Sequence, residues 1–436
     1  MADKNNSDVD IGREPSKFWY GFIGSQLIVP LICWYTKIKV KPDQDYLKEE
    51  GPIVVLGNHP SYLDPVVVER LTHGRPTNFV AGEFVFRKKG WGYWFKLGGA
   101  IPKKQFVVDT VAVKAMMRVL KRKGSLCIFP EATRFIDGTS KSFDDGVARM
   151  IKKTNSAIYI ARSNGAYLTW PRWSESGMRM GKITASFVRK LPGEKVKDMS
   201  IEEIQEYIMD GLAYNEYDYS RASNPTHRNS KMASGIQNVG FICPKCKKQF
   251  TMDFVGGSTV KCSDCGNEIN VLGNGLFEAG NDESKTFEDL HEWVKWEKDI
   301  IAEELKNPDF KMELDCRLVK EIGISSFAHT GNGKITVTAD EILYEGSDCE
   351  VEYGIPCHHG KDKRVSKSRM DLFEKNSKNI SRTYGIKSMK GLAAKYGQYI
   401  EIYDKDGELY RFYTEGKKVF KIQQVVMLFK KMDFEG

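Results

Sequence analysis

The chain has 436 residues, too many for one ordinary hydrophobic core, so two or three domains are expected. Its 41% hydrophobic and 28% charged residues are typical of a folded, mostly soluble protein. Between residues 51 and 200 there are 26 Lys/Arg against 11 Asp/Glu, a balance of +15, whereas the whole chain carries +8. The positive charge is therefore concentrated in this segment and indicates an anionic partner, such as phosphate groups, acidic lipid or nucleic acid.

An uncharged apolar run, FWYGFIGSQLIVPLICWYT, extends from residue 18 to residue 36. It is long enough to span a bilayer, but Gly21, Gly24 and Pro30 weaken a continuous helix. A membrane span, an interfacial or re-entrant anchor and a buried core helix all remain open, and the aromatic residues at both ends favour a lipid boundary. The polar first fifteen residues and the lack of a small-residue cleavage site predict no cleaved signal peptide.

From residue 49 to about residue 215, short apolar strands alternate with helices. This alternation predicts an α/β domain with a central sheet flanked by helices. The predicted strands are PIVVLGN, TNFVAG, SLCIFPE and AIYIARS. One predicted helix begins at Pro65. The others are formed by TVAVKAMMRVLKRKG, GVARMIKKTN and SIEEIQEYIMDGL. The last helix opens with Ser200 and Glu203 at the spacing of a capping box.

The rest of the chain is predicted to be modular. The polar stretch 216–239 is typical of a linker, and a cysteine-containing module follows at 240–275. A helix is predicted at 284–306, with Thr286 and Asp289 at its start. Residues 320–436 are strand-rich, with a hairpin turning at Asp406-Gly407 and a terminal amphipathic helix. This strand order resembles a pleckstrin-homology or GRAM-like domain, a resemblance that implies binding of lipid heads or proteins.

The stretch VVLGNHPSYLDPVVV places His59 and Asp64 between a buried strand and a helix. In open α/β sheets such connections are frequent sites of chemistry. A histidine can take a proton from an attacking hydroxyl when a carboxylate holds its other ring nitrogen, and a bend at Pro60 and Pro65 would bring the two side chains together. On spacing alone, Asp64 as a helix N-cap and His59 as a loop residue remain open.

A second stretch, CIFPEATRF, places Glu131 and Arg134 just after another buried strand. An arginine there can bind a phosphate through two hydrogen bonds, and the glutamate can orient it or accept a substrate hydroxyl. The alternative is a surface ion pair, which would contribute little to stability.

NHPSYLDP followed by FPEATR resembles the glycerolipid acyltransferase family, whose best-known members are the 1-acylglycerol-3-phosphate acyltransferases. The H-x-x-x-x-D block of that family is matched by His59 and Asp64. The F-P-E-G-T-R block is matched by Phe129, Pro130, Glu131, Thr133 and Arg134. The family also has a middle block that ends in a basic residue. It is matched most nearly by GGAIPKKQ, with Lys103 or Lys104 as the basic residue.

The resemblance implies transfer of a fatty acyl group from acyl-CoA or acyl-carrier protein to the free hydroxyl of a lysophospholipid, foremost 1-acylglycerol-3-phosphate, to give phosphatidic acid. It implies that His59 is the base and that Asp64 steadies the resulting imidazolium. The acceptor's phosphate would be held by Lys103, Lys104, Glu131, Thr133 and Arg134. The expected location is the cytoplasmic face of a membrane, peripheral or anchored by residues 18–36. Nucleic acid is not expected as a partner, because the sequence has no recognised nucleic-acid motif.

Because of three departures from the family pattern, the identity of the acyl acceptor is not decided by the resemblance. Ala132 stands where glycine is usual, which is tolerable if the backbone angle there is ordinary. Gln105 follows the two lysines where an arginine is expected, and the later apolar block lacks its proline. A different lysolipid acceptor, or a non-catalytic membrane-associated lipid-binding adaptor, are the alternatives.

Two CxxC pairs, CPKC at 243–246 and CSDC at 262–265, are separated by fifteen residues. This spacing predicts a zinc ribbon in which a structural Zn²⁺ is bound by Cys243, Cys246, Cys262 and Cys265. A redox pair is the alternative function. The five remaining cysteines are scattered, so a reducing compartment is the simpler interpretation.

Overall fold

In the computed structural model, the described residues are 11–86, 91–322, 326–358, 361–362 and 365–432. The chain divides into two compact units. The first unit comprises Met1–Met232 and Val271–Leu276, and the second comprises Ala233–Asn270 and Phe277–Gly436. Residues 87–90, which belong to the basic, aromatic-rich sequence FRKKGWGYWFKLGG, lie outside the described residues.

The first unit is built on a seven-stranded sheet in the order β1-β7-β6-β2-β5-β3-β4. Its strands are β1 (Ile38–Lys39), β2 (Ile53–Gly57), β3 (Thr77–Gly82), β4 (Ile101–Lys103), β5 (Ser125–Ile128), β6 (Ala157–Asn164) and β7 (Ile183–Leu191). The strands β6, β2, β5, β3 and β4 are parallel. Strand β7 is antiparallel to β6 and parallel to β1, so β1 runs opposite to β2.

Helices cover both faces of this sheet. They are α1 (Val29–Thr36), α2 (Gln44–Lys48), α3 (Asp64–Leu71), α4 (Glu83–Phe86), α5 (Trp91–Leu97), α6 (Thr110–Lys121), α7 (Gly146–Thr154), α8 (Ala166–Thr169), α9 (Gly193–Val196), α10 (Ile201–Leu212) and α11 (Glu216–Ser223), preceded by a π-helix (Lys17–Ile28). The α/β prediction for this part of the chain is confirmed, and so is the capping box of Ser200 and Glu203.

The central strand β2 is buried along its whole length because both of its faces are covered. Val54 and Leu56 join the core beneath α6, α7 and α10. Ile53 and Val55 face the opposite core, which includes residues of α3. Because parallel strands end at the same edge of a sheet, the residues after β2, β5 and β4 meet at one edge of this sheet.

The apolar run 18–36 forms the π-helix followed by α1. Pro30 lies in the first turn of α1, where a missing backbone N–H costs little. Tyr20 donates its hydroxyl proton to the carboxylate of Glu69, and Ser25 Oγ lies 2.8 Å from His73 Nδ1, so this segment is attached to α3 and the turn after it. Among the described residues, no helix is both long enough and apolar enough to cross a bilayer.

The prediction of a linker at 216–239 is wrong for most of its length. Residues 216–223 form α11, and Glu216 is fully buried, accepting a hydrogen bond from the N–H of Gly165 at 2.6 Å. His227 is also buried, and its amide donates to the carbonyl oxygen of Gly273 at 2.8 Å. Residues 216–232 of this stretch are therefore part of the first unit, where Glu216 and the backbone of His227 are held by hydrogen bonds.

The second unit contains a four-stranded and a nine-stranded sheet. Its strands are β8 (Met252–Gly256), β9 (Thr259–Cys262), β10 (Glu268–Val271), β11 (Phe277–Ala279), β12 (Met312–Glu321), β13 (Phe327–Val337), β14 (Glu341–Asp348), β15 (Ile355–His358), β16 (Lys361–Asp362), β17 (Lys378–Gly385), β18 (Gly391–Lys395), β19 (Tyr399–Tyr403) and β20 (Leu409–Tyr413). Its helices are α12 (Leu290–Glu304), α13 (Lys367–Asn376) and α14 (Val419–Met432), with 3-10 turns at Ile236–Asn238 and Gly416–Lys418.

Strand β12 is shared by two antiparallel sets of strands in this unit. One set continues through β13 and β14 to β17, and the other through β20 and β19 to β18. The hairpin predicted to turn at Asp406-Gly407 is formed by β19 and β20. Helix α12 begins later than predicted, because Asp289 is its N-cap and accepts a hydrogen bond from the amide of Glu292.

Candidate active site

His59 and Asp64 are brought together at the carboxyl end of β2. His59 Nδ1 lies 2.7 Å from Asp64 Oδ2, and the same oxygen accepts a hydrogen bond from the amide of Ser61 at 2.9 Å. The Asp64 side chain is 1% exposed and the His59 side chain 21% exposed. Asp64 is the first residue of α3, and its side chain makes no N-cap hydrogen bond there. The N-cap interpretation of Asp64 is therefore wrong, because its carboxylate holds the histidine.

The backbone around His59 is fixed from two sides. Asn58 Oδ1 accepts hydrogen bonds from the N–H and the hydroxyl of Ser163, and Asn58 Nδ2 donates to the carbonyl oxygen of Ser163. These three bonds pin the end of β2 to β6. The amide of Phe135 donates to the carbonyl oxygen of His59 at 3.0 Å. The ring of Phe129 stacks on the imidazole, with ring centroids 4.8 Å apart.

The second block forms a tight turn after β5. The amide of Ala132 donates to the carbonyl oxygen of Phe129, and Ala132 has φ 57°, in the left-handed region. The condition under which alanine would be tolerated without cost, an ordinary backbone angle, is therefore not met at this position. An L-residue in this conformation costs roughly 1–2 kcal/mol, and the turn retains it because Glu131 and Thr133 on either side are held by their own hydrogen bonds.

Arg134 lies against an aromatic ring beside this turn. Its Cζ is 3.3 Å from the centroid of the Tyr62 ring, a cation–π contact. Its Nη1 is buried and has no hydrogen-bond partner among the described residues. Glu131 Oε1 is likewise buried without a partner there, whereas Glu131 Oε2 accepts from the amide of Lys141 at 3.1 Å. Unpaired buried polar atoms are uncommon in folded proteins, so these two atoms point to a ligand.

The environment keeps the imidazole neutral. Burial, and after it the positive charges of Arg134, Arg172 and Lys141, lower the pKa of His59 to about 3. A neutral imidazole whose Nδ1 faces a carboxylate has Nε2 available as a proton acceptor. The site is therefore arranged for a general base.

The two acids of the site respond to burial in the opposite sense. Burial raises the pKa of Asp64, although the Ser61 amide and the charge of Arg134 oppose the shift. Burial also raises the pKa of Glu131 to about 8, against the amide and charge of Lys141. Both shifts show that water is largely excluded around these carboxyl groups.

Sequence reasoning missed three residues of the site: Tyr62, Lys141 and Arg172. Lys141 Nζ donates to Thr133 Oγ1 at 3.2 Å, and the charges of Lys141 and Arg172 both act on His59. No spacing pattern marks them, because each reaches the site from a loop. For Lys141 and Arg172, the one signal in the sequence is the positive charge of residues 51–200, which indicates an anionic partner.

Lys103 and Lys104 lie at the end of β4, on the same edge of the sheet as His59. The amide of Lys104 donates to Asp109, and Lys103 Nζ lies 3.4 Å from the carbonyl oxygen of Lys104. Lys104 is exposed and Lys103 partly so. The structure gives neither side chain a contact with the His59 pair, so their predicted role in phosphate binding stays a prediction.

The four cysteines of the CxxC pairs converge in the second unit. Their sulfur atoms all lie within 4.8 Å of one another. Cys243 Sγ is 3.6 Å from Cys265 Sγ, and Cys246 Sγ is 3.8 Å from Cys262 Sγ. Four sulfurs at about 2.3 Å from a tetrahedral zinc ion would be about 3.8 Å apart. The donor set and its spacing therefore fit a Zn²⁺ ion.

Comparison with known proteins assigns residues 37–161 to the Acyltransferase family model. The chain is 27% identical over 184 residues to the chloroplastic 1-acyl-sn-glycerol-3-phosphate acyltransferase LPAT1 of Arabidopsis thaliana, covering 41% of this chain and 50% of the relative. It is 25% identical to the chloroplastic 1-acyl-sn-glycerol-3-phosphate acyltransferase BAT2 of Brassica napus, covering 41% of this chain and 52% of that protein. The chain thus spans about half the length of the curated relatives it matches.

Among solved structures, the comparison finds the 1-acyl-sn-glycerophosphate (LPA) acyltransferase PlsC from Thermotoga maritima. The sequence identity is 18% and the TM-score 0.35, and the match covers 44% of this chain and 79% of that chain.

Proposed function

Because residues 37–161 belong to the glycerolipid acyltransferase family, we propose that the first unit transfers a fatty acyl group to the free hydroxyl of a lysophospholipid. The proposed donor is the thioester of acyl-CoA or acyl-carrier protein. The proposed acceptor is 1-acylglycerol-3-phosphate, and the product is phosphatidic acid. The observation that carries this proposal is the 2.7 Å pair of His59 and Asp64 at the end of a buried strand, surrounded by cationic side chains.

In the proposed reaction, His59 Nε2 takes the proton of the acceptor hydroxyl as its oxygen attacks the thioester carbonyl carbon. Asp64 holds Nδ1 and stabilises the imidazolium that forms. The carbon–sulfur bond then breaks, and the proton held by His59 passes to the departing thiolate. The histidine is neutral again at the end of the cycle, and no covalent acyl-enzyme is needed.

The acceptor's phosphate would lie beside Arg134. Its unpaired Nη1 can donate to a phosphate oxygen, and the neighbouring cations Lys141 and Arg172 add positive charge at the same place. Glu131, with one unpaired oxygen and a raised pKa, can donate or accept a hydrogen bond to the glycerol or phosphate. This arrangement supports a phosphate-bearing acceptor over a lysolipid without a free phosphate.

Residues 18–36 are proposed to contact the membrane that holds the lipid substrate, as a peripheral attachment. The support is a set of large apolar side chains of this segment that are exposed in the structure: Phe18, Phe22, Leu27, Ile28, Leu31, Trp34 and Tyr35. Monomeric soluble proteins rarely expose contiguous apolar surface of this kind. Trp and Tyr are favoured at the boundary between lipid and water.

For the second unit, we propose a structural Zn²⁺ bound by the four cysteines. The metal would stabilise the fold of the strands β8 to β10. The two antiparallel sets of strands that share β12, followed by α14, support the predicted pleckstrin-homology-like architecture.

The proposal is tested by incubating the purified full chain with an acyl-CoA and a panel of lysolipids. We expect transfer to 1-acylglycerol-3-phosphate and its loss by a factor of about 10² to 10⁴ in His59→Ala protein. The alternative of a non-catalytic lipid-binding adaptor predicts lipid binding without transfer to any acceptor. Undiminished turnover by the His59→Ala variant would exclude the proposed mechanism.

A further inference from the structure

A cavity of about 340 Å³ lies at the base of α1, away from the His59 pair. Three basic side chains line it: Lys39, Lys41 and Arg70. Its other walls are apolar and include Pro30 and Cys33 of α1. A cavity of this size is in the range of small-ligand sites, and its lining combines positive charge with apolar surface.

The three cations have no counter-ion among the described residues of the chain. In the part of the chain that the structure describes, none of them forms an ion pair or a side-chain hydrogen bond. The acid next to Arg70, Glu69, is engaged by the hydroxyl of Tyr20. Three like charges around one cavity repel one another, so an anion bound between them would be attracted by all three.

Helix α1 presents two different apolar faces. Pro30 and Cys33 face the cavity, whereas Leu31, Trp34 and Tyr35 are 64%, 78% and 59% exposed. A solvent-facing helix surface is ordinarily polar. A ligand that satisfies both features has an anionic head for the cavity and apolar chains for the exposed face.

This cavity is separate from the proposed acceptor site. Lys39 pairs with Thr184, which pairs with Asn164, three residues beyond the partner of Gly57, so Lys39 lies towards the same edge of the sheet as His59. The separation is lateral, because β1 is three strands away from β2 in the sheet, or about 14 Å. Arg70 is in the last turn of α3 and Asp64 is its first residue. Six residues of helix separate them by about 9 Å along the axis.

We propose that this cavity is a second lipid site, which binds the phosphate head of an anionic membrane phospholipid while its acyl chains lie against the exposed face of α1. Such a lipid fixes the first unit on the bilayer without entering the reaction. The inference rests on the proposed membrane contact of residues 18–36, and it is independent of the chemistry at His59.

The test measures binding of the full chain to phosphatidylcholine vesicles with and without phosphatidylglycerol. The variant carries Lys39→Gln, Lys41→Gln and Arg70→Gln. The matched control removes three exposed lysines elsewhere in the first unit, through Lys114→Gln, Lys121→Gln and Lys153→Gln. Each basic side chain that contacts anionic lipid contributes about a fivefold increase in affinity, so the cavity variant should bind the anionic vesicles about 100-fold more weakly. The control variant should lose far less, and binding to pure phosphatidylcholine should be equal in all three proteins.

Equal losses of vesicle affinity in the two triple variants would show attraction by net charge only and would overturn the site.

A second experiment adds soluble glycerophosphate, which lacks acyl chains. It should not displace the vesicle-bound protein; displacement would assign the cavity to free phosphate esters and overturn the lipid assignment. Transfer is assayed separately with detergent-dispersed acceptor, where the cavity variant should keep full turnover. A chain that binds anionic vesicles through the cavity yet transfers no acyl group would refute the proposed function and leave this inference standing.

Discussion

The amide of Phe135 donates a hydrogen bond to the carbonyl oxygen of His59, with 3.0 Å between nitrogen and oxygen. This bond joins the two blocks of sequence that carry the candidate site. It fixes the turn that holds Glu131 and Arg134 against the bend that holds the histidine. The positions of the proposed base and of the proposed phosphate-binding side chains are therefore coupled through the backbone, and each role can be tested by changing one side chain.

Replacing Asp64 by asparagine should lower kcat by about 10²- to 10⁴-fold, because the amide cannot stabilise the imidazolium and favours the wrong tautomer of His59. Initial rates with saturating acceptor and thioester measure the effect. The matched control is Asp198→Asn, an exposed aspartate of the same unit, which should keep normal turnover. A normal rate in the Asp64→Asn protein would mean that the pair is structural.

The activity should persist at acidic pH. Because burial lowers the pKa of His59 to about 3, the imidazole stays neutral where an ordinary histidine, with a pKa of about 6.5, is protonated. We expect kcat/KM to change little between about pH 7 and about pH 5, apart from the titration of the acceptor's phosphate. A profile that falls with an apparent pKa near that of free histidine would contradict the burial of the base.

The same shift links His59 to stability. As the pH falls from about 6.5 towards about 3, unfolded chains bind a proton at this histidine and folded chains do not, so the free energy of unfolding decreases. His59→Asn should remove this part of the pH dependence. Denaturant titrations of both proteins at neutral and acidic pH give the comparison, and identical slopes against pH would exclude the linkage.

Removing a cation from the phosphate side of the site should weaken acceptor binding. Arg134→Gln should raise the KM for the phosphate-bearing acceptor about 10- to 100-fold, the usual range for a lost hydrogen bond to a charged group, and leave the KM for the thioester less affected. Lys153→Gln, an exposed lysine on α7, serves as the control. If only the thioester KM rises, Arg134 binds the donor and not the acceptor.

Glycine at position 132 should stabilise the protein slightly. Ala132 pays roughly 1–2 kcal/mol for its left-handed conformation, and glycine avoids this cost but loses about 0.5–1 kcal/mol through the greater freedom of the unfolded chain. The net gain should be about 0.5–1 kcal/mol in the free energy of unfolding. Ala213→Gly is the control, since φ there is −55°, and it should destabilise the protein. A loss of stability in both variants would show that the turn at residue 132 is unstrained.

Metal analysis should find one zinc ion per chain, and Cys243→Ser should lose it, because a closed thiolate site needs all four sulfurs. Cys316→Ser changes a buried cysteine outside the cluster and should keep the metal. Chelation should unfold the strands around the cysteines, seen as a loss of near-ultraviolet circular dichroism. Full metal content in the Cys243→Ser protein would remove this cysteine from the site.

Local patterns in the sequence were sufficient for the central strands and for the proximity of His59 and Asp64. Alternating apolar strands and helices predicted the central sheet, and the two prolines around His59 indicated the bend that joins it to Asp64. Lys141 and Arg172 could not be found in this way, because the folded chain brings them to the site from separate loops. The left-handed angle at Ala132 depends on turn hydrogen bonds that a residue type alone does not show.

The segment 216–239 was misread for a related physical reason. Its composition is that of a solvated linker, yet Glu216 is buried and its carboxylate accepts the N–H of Gly165. A polar residue signals solvent only when the fold offers it no partner. Burial of this kind depends on distant contacts, and no window of local sequence contains them.

Residues 271–276 belong to the first unit although the chain has already entered the second. Gly273 accepts the amide of His227 through its carbonyl oxygen, and Asn274 donates to Asn224 at 3.0 Å. Domains generally fold from the amino terminus while the ribosome is still adding residues. Here residues 271–276 of the first unit are translated only after the four cysteines of the second unit. A stalled ribosome or an early stop codon between the cysteines and residue 271 would therefore leave the first unit incomplete, because residues 271–276 would not be synthesised.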